Sequence, residues 1–285
     1  MKERNKGILL MILASLSFAL MASAVKYSGE LPTVQKVFFR NFVGLIVSGA
    51  MIYFQPGTYT GKNIFGLISR SIFGLLGVFF YFYAIDHIPL ADAVVLNQTS
   101  PFFVVIMSAI FLKERIRRFQ IPAILMAMLG VSLIIQPEFD ASVLPAVVAL
   151  FSAIFAATAY TTIRHLRLTD RPQIIVFYFT LFSVIVTFPF LLLGHFEKPS
   201  AIQAASLLAV GVFATSGQLL MTYAYRFSEA GDLSIYSYGK TIFSVVIGIV
   251  LWTEIPNLLS FIGIGAILSG AYINYRFHES RRGLG

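Results

Sequence analysis

Residues 89–118 read PLADAVVLNQTSPFFVVIMSAIFLKERIRR, and the fold follows from how this stretch is understood. It opens on an Asp in a tight polar turn, runs apolar for about one membrane thickness and ends in a cluster of bases. A soluble core has no need of some twenty largely apolar residues in a row. Asn97-Gln98-Thr99-Ser100-Pro101 forms a polar knot inside the run. At an offset of 140 the stretch returns as residues 229–258, EAGDLSIYSYGKTIFSVVIGIVLWTEIPNL. Asp92 then aligns with Asp232, Phe103 with Phe243, Val105 with Val245 and Glu114 with Glu254. The register extends outward to Gly77 on Gly217, Tyr83-Ala84 on Tyr223-Ala224 and Gly130 on Gly270. Gapless agreement across consecutive spans marks an internal duplication.

Composition agrees with a membrane protein. Of 285 residues, 58% are apolar and 12% charged, the latter about half the usual share. Apolar character spread over the whole length predicts an all-α integral membrane protein rather than a domain with one anchor. Ten spans are expected, near 7–26, 33–54, 65–86, 91–112, 119–136, 142–163, 173–194, 203–226, 231–252 and 257–276. They are too long and too uniformly apolar for barrel strands. The start, Lys2, Arg4 and Lys6 before an apolar run ending Ala22-Ser23-Ala24, resembles a signal peptide. Its Leu13, Ser15, Phe18, Ala19 and Ala22 nevertheless echo Leu150, Ser152, Phe155, Ala156 and Ala159 of span six, so it is expected to be kept.

The formal charge of +8 would raise the question of nucleic acid in a soluble protein, but here the bases sit at helix ends. With the amino terminus inside, the cytoplasmic face collects Lys62, Lys113, Arg115, Arg117, Arg118, Arg164, Arg167 and Arg171, among others. The outer face holds Lys26 and Lys198, with Lys36 at a helix mouth. Both termini are therefore expected in the cytoplasm, and the membrane to be the plasma (inner) membrane. Five spans per repeat is odd, so residues 138–285 should enter the bilayer upside down relative to residues 1–137. The expected architecture is two inverted five-helix repeats around a central cavity, with the substrate near the midplane.

The turn and helix Pro89-Leu90-Ala91-Asp92-Ala93, then Pro101, then Leu112-Lys113-Glu114-Arg115, with their degenerate copy Ala230-Gly231-Asp232 and Trp252-Thr253-Glu254, resemble the drug/metabolite transporter superfamily in its form with two tandem EamA domains. The phrases AIDHIPLADAVVLNQTSPFF and YSYGKTIF are similar to a branch related to eukaryotic organic-anion carriers. Thr241 departs from the pattern, because Pro101 has no proline counterpart there. The resemblance implies a carrier of small metabolites; its motifs are structural and leave the substrate open.

Several residues fit such a site. Lys240 lies about nine residues into span nine, roughly 13 Å deep at ~1.5 Å per residue, where a charge usually faces a cavity. On a helical wheel Ser234, Ser237, Tyr238 and Thr241 form a polar stripe with Lys240 at its edge. Arg40, seven residues into span two, can grip a carboxylate or phosphate in a fork, or snorkel to the interface. Asn97 and Pro101 share one face of span four, and Pro101 frees a carbonyl near the midplane. Tyr81, Tyr160, Tyr236 and Tyr238 would bring hydroxyls to aromatic walls, and Gln218 is a further candidate. Glu114 and Glu254, at helix ends, read as structural. Gly263, Gly265, Ser269 and Gly270 would serve close packing, within the chain or against a second copy in a homodimer.

Enzyme readings find little support. His87, His165, His195 and His278 are scattered at span ends without metal-ligand spacing, and there is no Cys. No Gly-x-Ser-x-Gly elbow, phosphate loop or midplane carboxylate pair appears. No cofactor or metal is expected. The expected activity is secondary transport or facilitation of a small anionic or zwitterionic metabolite, such as an organic acid or amino acid, by alternating access. The alternative is a flippase-like lipid-handling protein, which a side opening between helices would favour.

Overall fold

The structure, a computed structural model, describes residues 2–54, 60–111, 120–135, 143–166, 169–227 and 236–282. Among these residues there is no strand. In chain order the helices are α1 (Lys2–Tyr27), α2 (Thr33–Phe54), α3 (Ile64–His87), α4 (Leu90–Asn97), α5 (Ser100–Phe111), α6 (Gln120–Ile135), α7 (Leu144–Leu166), α8 (Pro172–Phe190), α9 (Ala201–Phe227), α10 (Gly239–Trp252) and α11 (Leu258–Arg282). A π-helical turn, Leu191–His195, prolongs α8. Six helices, α1, α2, α3, α7, α8 and α9, are long and apolar enough to cross a membrane by length and composition. α6, α10 and α11 carry shorter apolar stretches. Glu114 and Asp232 lie outside the described residues.

The span expected over residues 91–112 is two helices. Pro101 has no N–H to give the Asn97 carbonyl, and the chain tightens around the gap. Thr99 N donates to Leu96 O at 3.2 Å, the Thr99 hydroxyl to the same oxygen at 2.6 Å, and Phe102 N to Thr99 O at 2.9 Å. The span expected over residues 231–252 is interrupted too, at Tyr238, where Thr241 N reaches back to Tyr238 O at 3.0 Å. Under the offset of 140 this break falls opposite Gln98. Two interrupted helices thus face one another.

α4 is buried on every side: Leu90, Ala91, Ala93, Val94, Val95 and Leu96 are all inaccessible or nearly so. A helix apolar all round belongs at the centre. Around it α1 packs on α9 and α10, α2 on α8 and α9, and α3 on α7 and α8, while α4 packs on α7 and α10, and α6 on α11. The main core joins Met21 and Val25 of α1, Phe82 and Ile85 of α3, Val210 of α9 and Ile267 of α11 to α4. The outer surface is apolar instead, with Leu9, Ile46, Phe65, Ile110, Leu129 and Val250 exposed. An apolar exterior over a core threaded with Ser15, Asn41, Ser71, Ser152 and Ser183 is what lipid solvent selects.

Close approaches depend on missing side chains. A Cβ on Gly130 would sit 2.5 Å from Gly263 O, and one on Gly263 would sit 2.7 Å from Gly130 O, so α6 and α11 touch backbone to backbone. Gly263 therefore serves packing within the chain, whereas Gly265 has open space around it.

Polar ties close both ends of the bundle. At one end Lys26 pairs with Glu254, and Glu254 also accepts from Leu90 N at 2.9 Å, placing a carboxylate on the positive end of α4. Thr253, in the left-handed region at φ 57°, turns the chain so that Glu254 N meets Gly248 O at 3.1 Å. Lys36 pairs with Asp86 at 2.7 Å and donates to Gly29 O at 2.7 Å. At the other end Asp170 accepts from Lys62 N at 2.6 Å, Asn63 N at 3.2 Å and the Thr169 hydroxyl at 2.7 Å. Desolvation pushes the Asp170 carboxyl up, but these hydrogen bonds together outweigh it and hold it below the ordinary carboxylate value.

Candidate substrate site inside the bundle

Two cation clusters meet inside the bundle. Arg40 of α2 and Arg70 of α3 converge on the Phe179 ring of α8. The guanidinium carbon of Arg70 lies 3.8 Å from the ring centroid and that of Arg40 lies 5.7 Å away. Arg40 Nη1 donates to Asn41 Oδ1 at 2.9 Å, and Asn41 is itself anchored on Val37 O. Stacking on an aromatic face holds a guanidinium plane without consuming its N–H donors. Arg40 Nε, Arg70 Nε and Arg70 Nη1 are buried with no hydrogen-bond partner. The two arginines repel one another, and Tyr160 lies near both.

Lys240, the second residue of α10, forms the other cluster. Its Nζ lies 4.5 Å from the Tyr81 ring centroid and 3.4 Å from Asn97 Oδ1, a long hydrogen bond. Asn97 Nδ2 donates to Ser152 Oγ at 3.0 Å, and Ser152 in turn donates to Ala149 O at 2.6 Å, so α7 fixes the amide. The Tyr81 hydroxyl, Thr241 Oγ1 and Ser244 Oγ are buried without partners. Arg40 and Lys240 repel, and Tyr81 lies near Tyr160, so the two clusters adjoin.

Tyr160 of α7 is 49% exposed. The two helix breaks are tied to neighbouring helices by polar contacts. Gln98 Nε2 donates to Ser237 O at 3.0 Å, and Ser15 Oγ donates to Tyr236 O at 3.0 Å. The amino ends of α5 and α10, each the positive end of a half-helix, start at these breaks.

Of the residues singled out in the sequence, Arg40, Lys240, Asn97, Tyr81 and Tyr160 fall in this one group. Tyr238 is 4% exposed, with its ring in the main core. Tyr236 packs against Met11 and Ala224, and Gln218 lies half-buried on α9. The sequence reading overlooked Arg70, Phe179 and Ser152. Arg70 carried the same kind of signal as Arg40, a charge inside an apolar span, though nearer its end. Among the described residues neither arginine nor Lys240 has a carboxylate partner, and the carboxylates of Asp86 and Glu254 are engaged elsewhere. Three cations in a low-dielectric interior require an anion, water or a carbonyl to meet them.

The chain is similar to carriers over most of its length. It is 36% identical to the pseudopaline exporter CntI of Pseudomonas aeruginosa over 262 residues, which are 91% of this chain and 92% of that protein. Human solute carrier family 35 member G1 is 26% identical over 269 residues, 88% of this chain and 73% of that protein. A riboflavin transporter of Brucella anthropi is 23% identical over 271 residues, 92% and 95% of the respective lengths. One crystal structure shares the fold with a TM-score of 0.65 at 20% identity, covering 95% of this chain and 97% of that one. The EamA-like transporter family matches twice in tandem, at residues 5–136 and 143–276, and the chain, a multi-pass membrane protein, belongs to that family.

Proposed function

We propose that this protein is a secondary transporter or facilitator for a small anionic or zwitterionic metabolite bearing a carboxylate, held between Arg40, Arg70 and Lys240 and moved by alternating access. The observation that carries the reading is the set of buried cations with unpartnered donors and, among the described residues, no carboxylate beside them.

The architecture in this reading is ten membrane helices in two inverted repeats, residues 1–137 and 138–285, counting α4 and α5 as one span. The packing supports it. Exchanging each span with its counterpart five spans on turns the α1–α9 contact into α7–α3 and the α2–α9 contact into α8–α3. The α2–α8, α4–α10 and α6–α11 contacts map onto themselves. Both termini are cytoplasmic in the inner membrane. Since the chain has no Cys, Lys62→Cys should react with a membrane-impermeant maleimide only from the cytoplasmic side, and Lys198→Cys only from outside. The reverse pattern would overturn the orientation.

Transport by purified protein in liposomes tests the site. Arg40→Gln and Lys240→Gln should each weaken carboxylate uptake about tenfold to a hundredfold, the loss of one charge-assisted contact, while the protein still inserts and melts cooperatively. Normal uptake by both variants, or preference for an organic cation, would reject the anion reading.

A further inference from the structure

We propose that the substrate carries two anionic groups, held at two separate points of this site; the inference rests on the anion-carrier reading above and narrows its substrate class. The first point is the pair Arg40 and Arg70. Phe179 supports both guanidiniums from one ring, leaving Arg40 Nε, Arg70 Nε and Arg70 Nη1 unsatisfied. One planar carboxylate, or one phosphate, can accept from two such forks at once. Arg70 is 5% exposed, so bulk water screens its charge poorly.

The second point is Lys240. It stands on a different ring, Tyr81, and against a different amide, Asn97, which Ser152 holds in place. Its only described hydrogen bond is the long one to Asn97. Lys240 also begins α10, so its ammonium and the positive end of that half-helix add to each other. Two like charges do not gather at one helix start without an anion to satisfy both. The buried Tyr81 hydroxyl and Thr241 Oγ1, each without a partner, are donors for the same group.

Charge counting separates one anion from two. A single carboxylate on the arginine pair leaves Lys240 uncompensated beside a helix amino end; a second anionic group removes that excess. The two points lie on opposite sequence repeats, Arg40 and Arg70 in the first and Lys240 in the second. A substrate with two anionic groups therefore bridges the halves that must move past each other.

The test is a binding series on purified full-length protein, read as thermal shift and as competition for uptake into liposomes. The probes are straight-chain monocarboxylates, dicarboxylates from malonate to adipate, and inorganic phosphate. One dicarboxylate length should bind at least about tenfold tighter than the monocarboxylate of equal carbon number, the return from one additional charge-assisted contact. Lys240→Gln should lower dicarboxylate affinity more than monocarboxylate affinity and so erase that advantage, whereas Arg70→Gln should weaken both alike. Equal affinity for mono- and dicarboxylates in the wild type, with Arg70→Gln weakening both, overturns the two-group inference and keeps the anion reading. Phosphate binding tighter than every dicarboxylate and weakened by all three variants places the cations on one group and also overturns it. No binding of any probe, with variants that transport normally, removes the anion reading itself. The wild-type length series decides the matter even if a variant does not fold.

Discussion

Lys36 and Arg70 are both cations shut away from solvent, yet they are handled in opposite ways. Lys36 is fully inaccessible and meets Asp86 and Gly29 O at 2.7 Å each. Arg70 lies flat on Phe179 with two nitrogens unanswered. Lys26 belongs with Lys36, since Glu254 neutralises it and ties it to the start of α4. Arg40 and Lys240 belong with Arg70. The first group fastens one end of the bundle, where partners come from the chain itself. The second lies deeper, where an unpaired cation is tolerable only if something outside the chain completes it. In the proposed reading, a charge with its own carboxylate is structure and a charge without one is a site.

The comparison can be broken most forcefully at Lys36. Lys36→Ala leaves the partly buried Asp86 without its cation, with only the Thr33 hydroxyl at 3.3 Å described beside it, and removing one partner of a buried pair costs up to about 3–5 kcal/mol. The expected outcome is a large fall in melting temperature in detergent, or loss of folded protein. A variant as stable as wild type would erase the distinction. Arg70→Gln should do the reverse. It removes an uncompensated charge, so the melting temperature should hold or rise, while carboxylate affinity falls about tenfold to a hundredfold. Transport at the wild-type level would make Arg70 a packing residue.

The smallest effect is expected at Asp170, whose carboxylate is answered chiefly by N–H and hydroxyl groups, with the Lys62 charge adding less. Its folded value lies below the ordinary one. Its stabilisation is therefore present above the ordinary value of about 3.9 and is lost as the pH falls through the lowered folded value. Wild type should melt progressively earlier below about pH 4, and Asp170→Asn should show a flatter acid limb with a slightly lower plateau at neutral pH. Identical acid limbs would show that the connection at Lys62 and Asn63 does not depend on that charge.

The sequence was most legible where the bilayer penalises alternatives. Long apolar runs, bases at their ends and the offset linking Asp92 to Asp232 all follow from the cost of polar groups in hydrocarbon. Arg40 and Lys240 stood out for the same reason. Arg70 had that signal too, but near the amino end of α3 it reads as another helix-end base until Phe179 is seen beneath it. The partnership of Lys36 with Asp86 joins residues on different helices, which periodicity cannot anticipate. The polar stripe drawn through Ser237, Tyr238 and Thr241 assumed one unbroken helix. The turn at Tyr238 resets the helical phase, and Tyr236 and Tyr238 direct their rings into apolar packing on the near side of it. Glu254 at a helix end agrees with its structural reading through its bonds to Lys26 and Leu90.

The Gly130–Gly263 contact has a mechanical consequence. With each glycine's carbonyl oxygen within 3 Å of where the other's methyl would stand, Ile267 seats against Gly130 and Ile134 against Gly263. Drawing the two helices apart would unseat both isoleucines and leave voids behind them. In the transport reading, α6 and α11 therefore travel as one body, and the displacement falls to other interfaces.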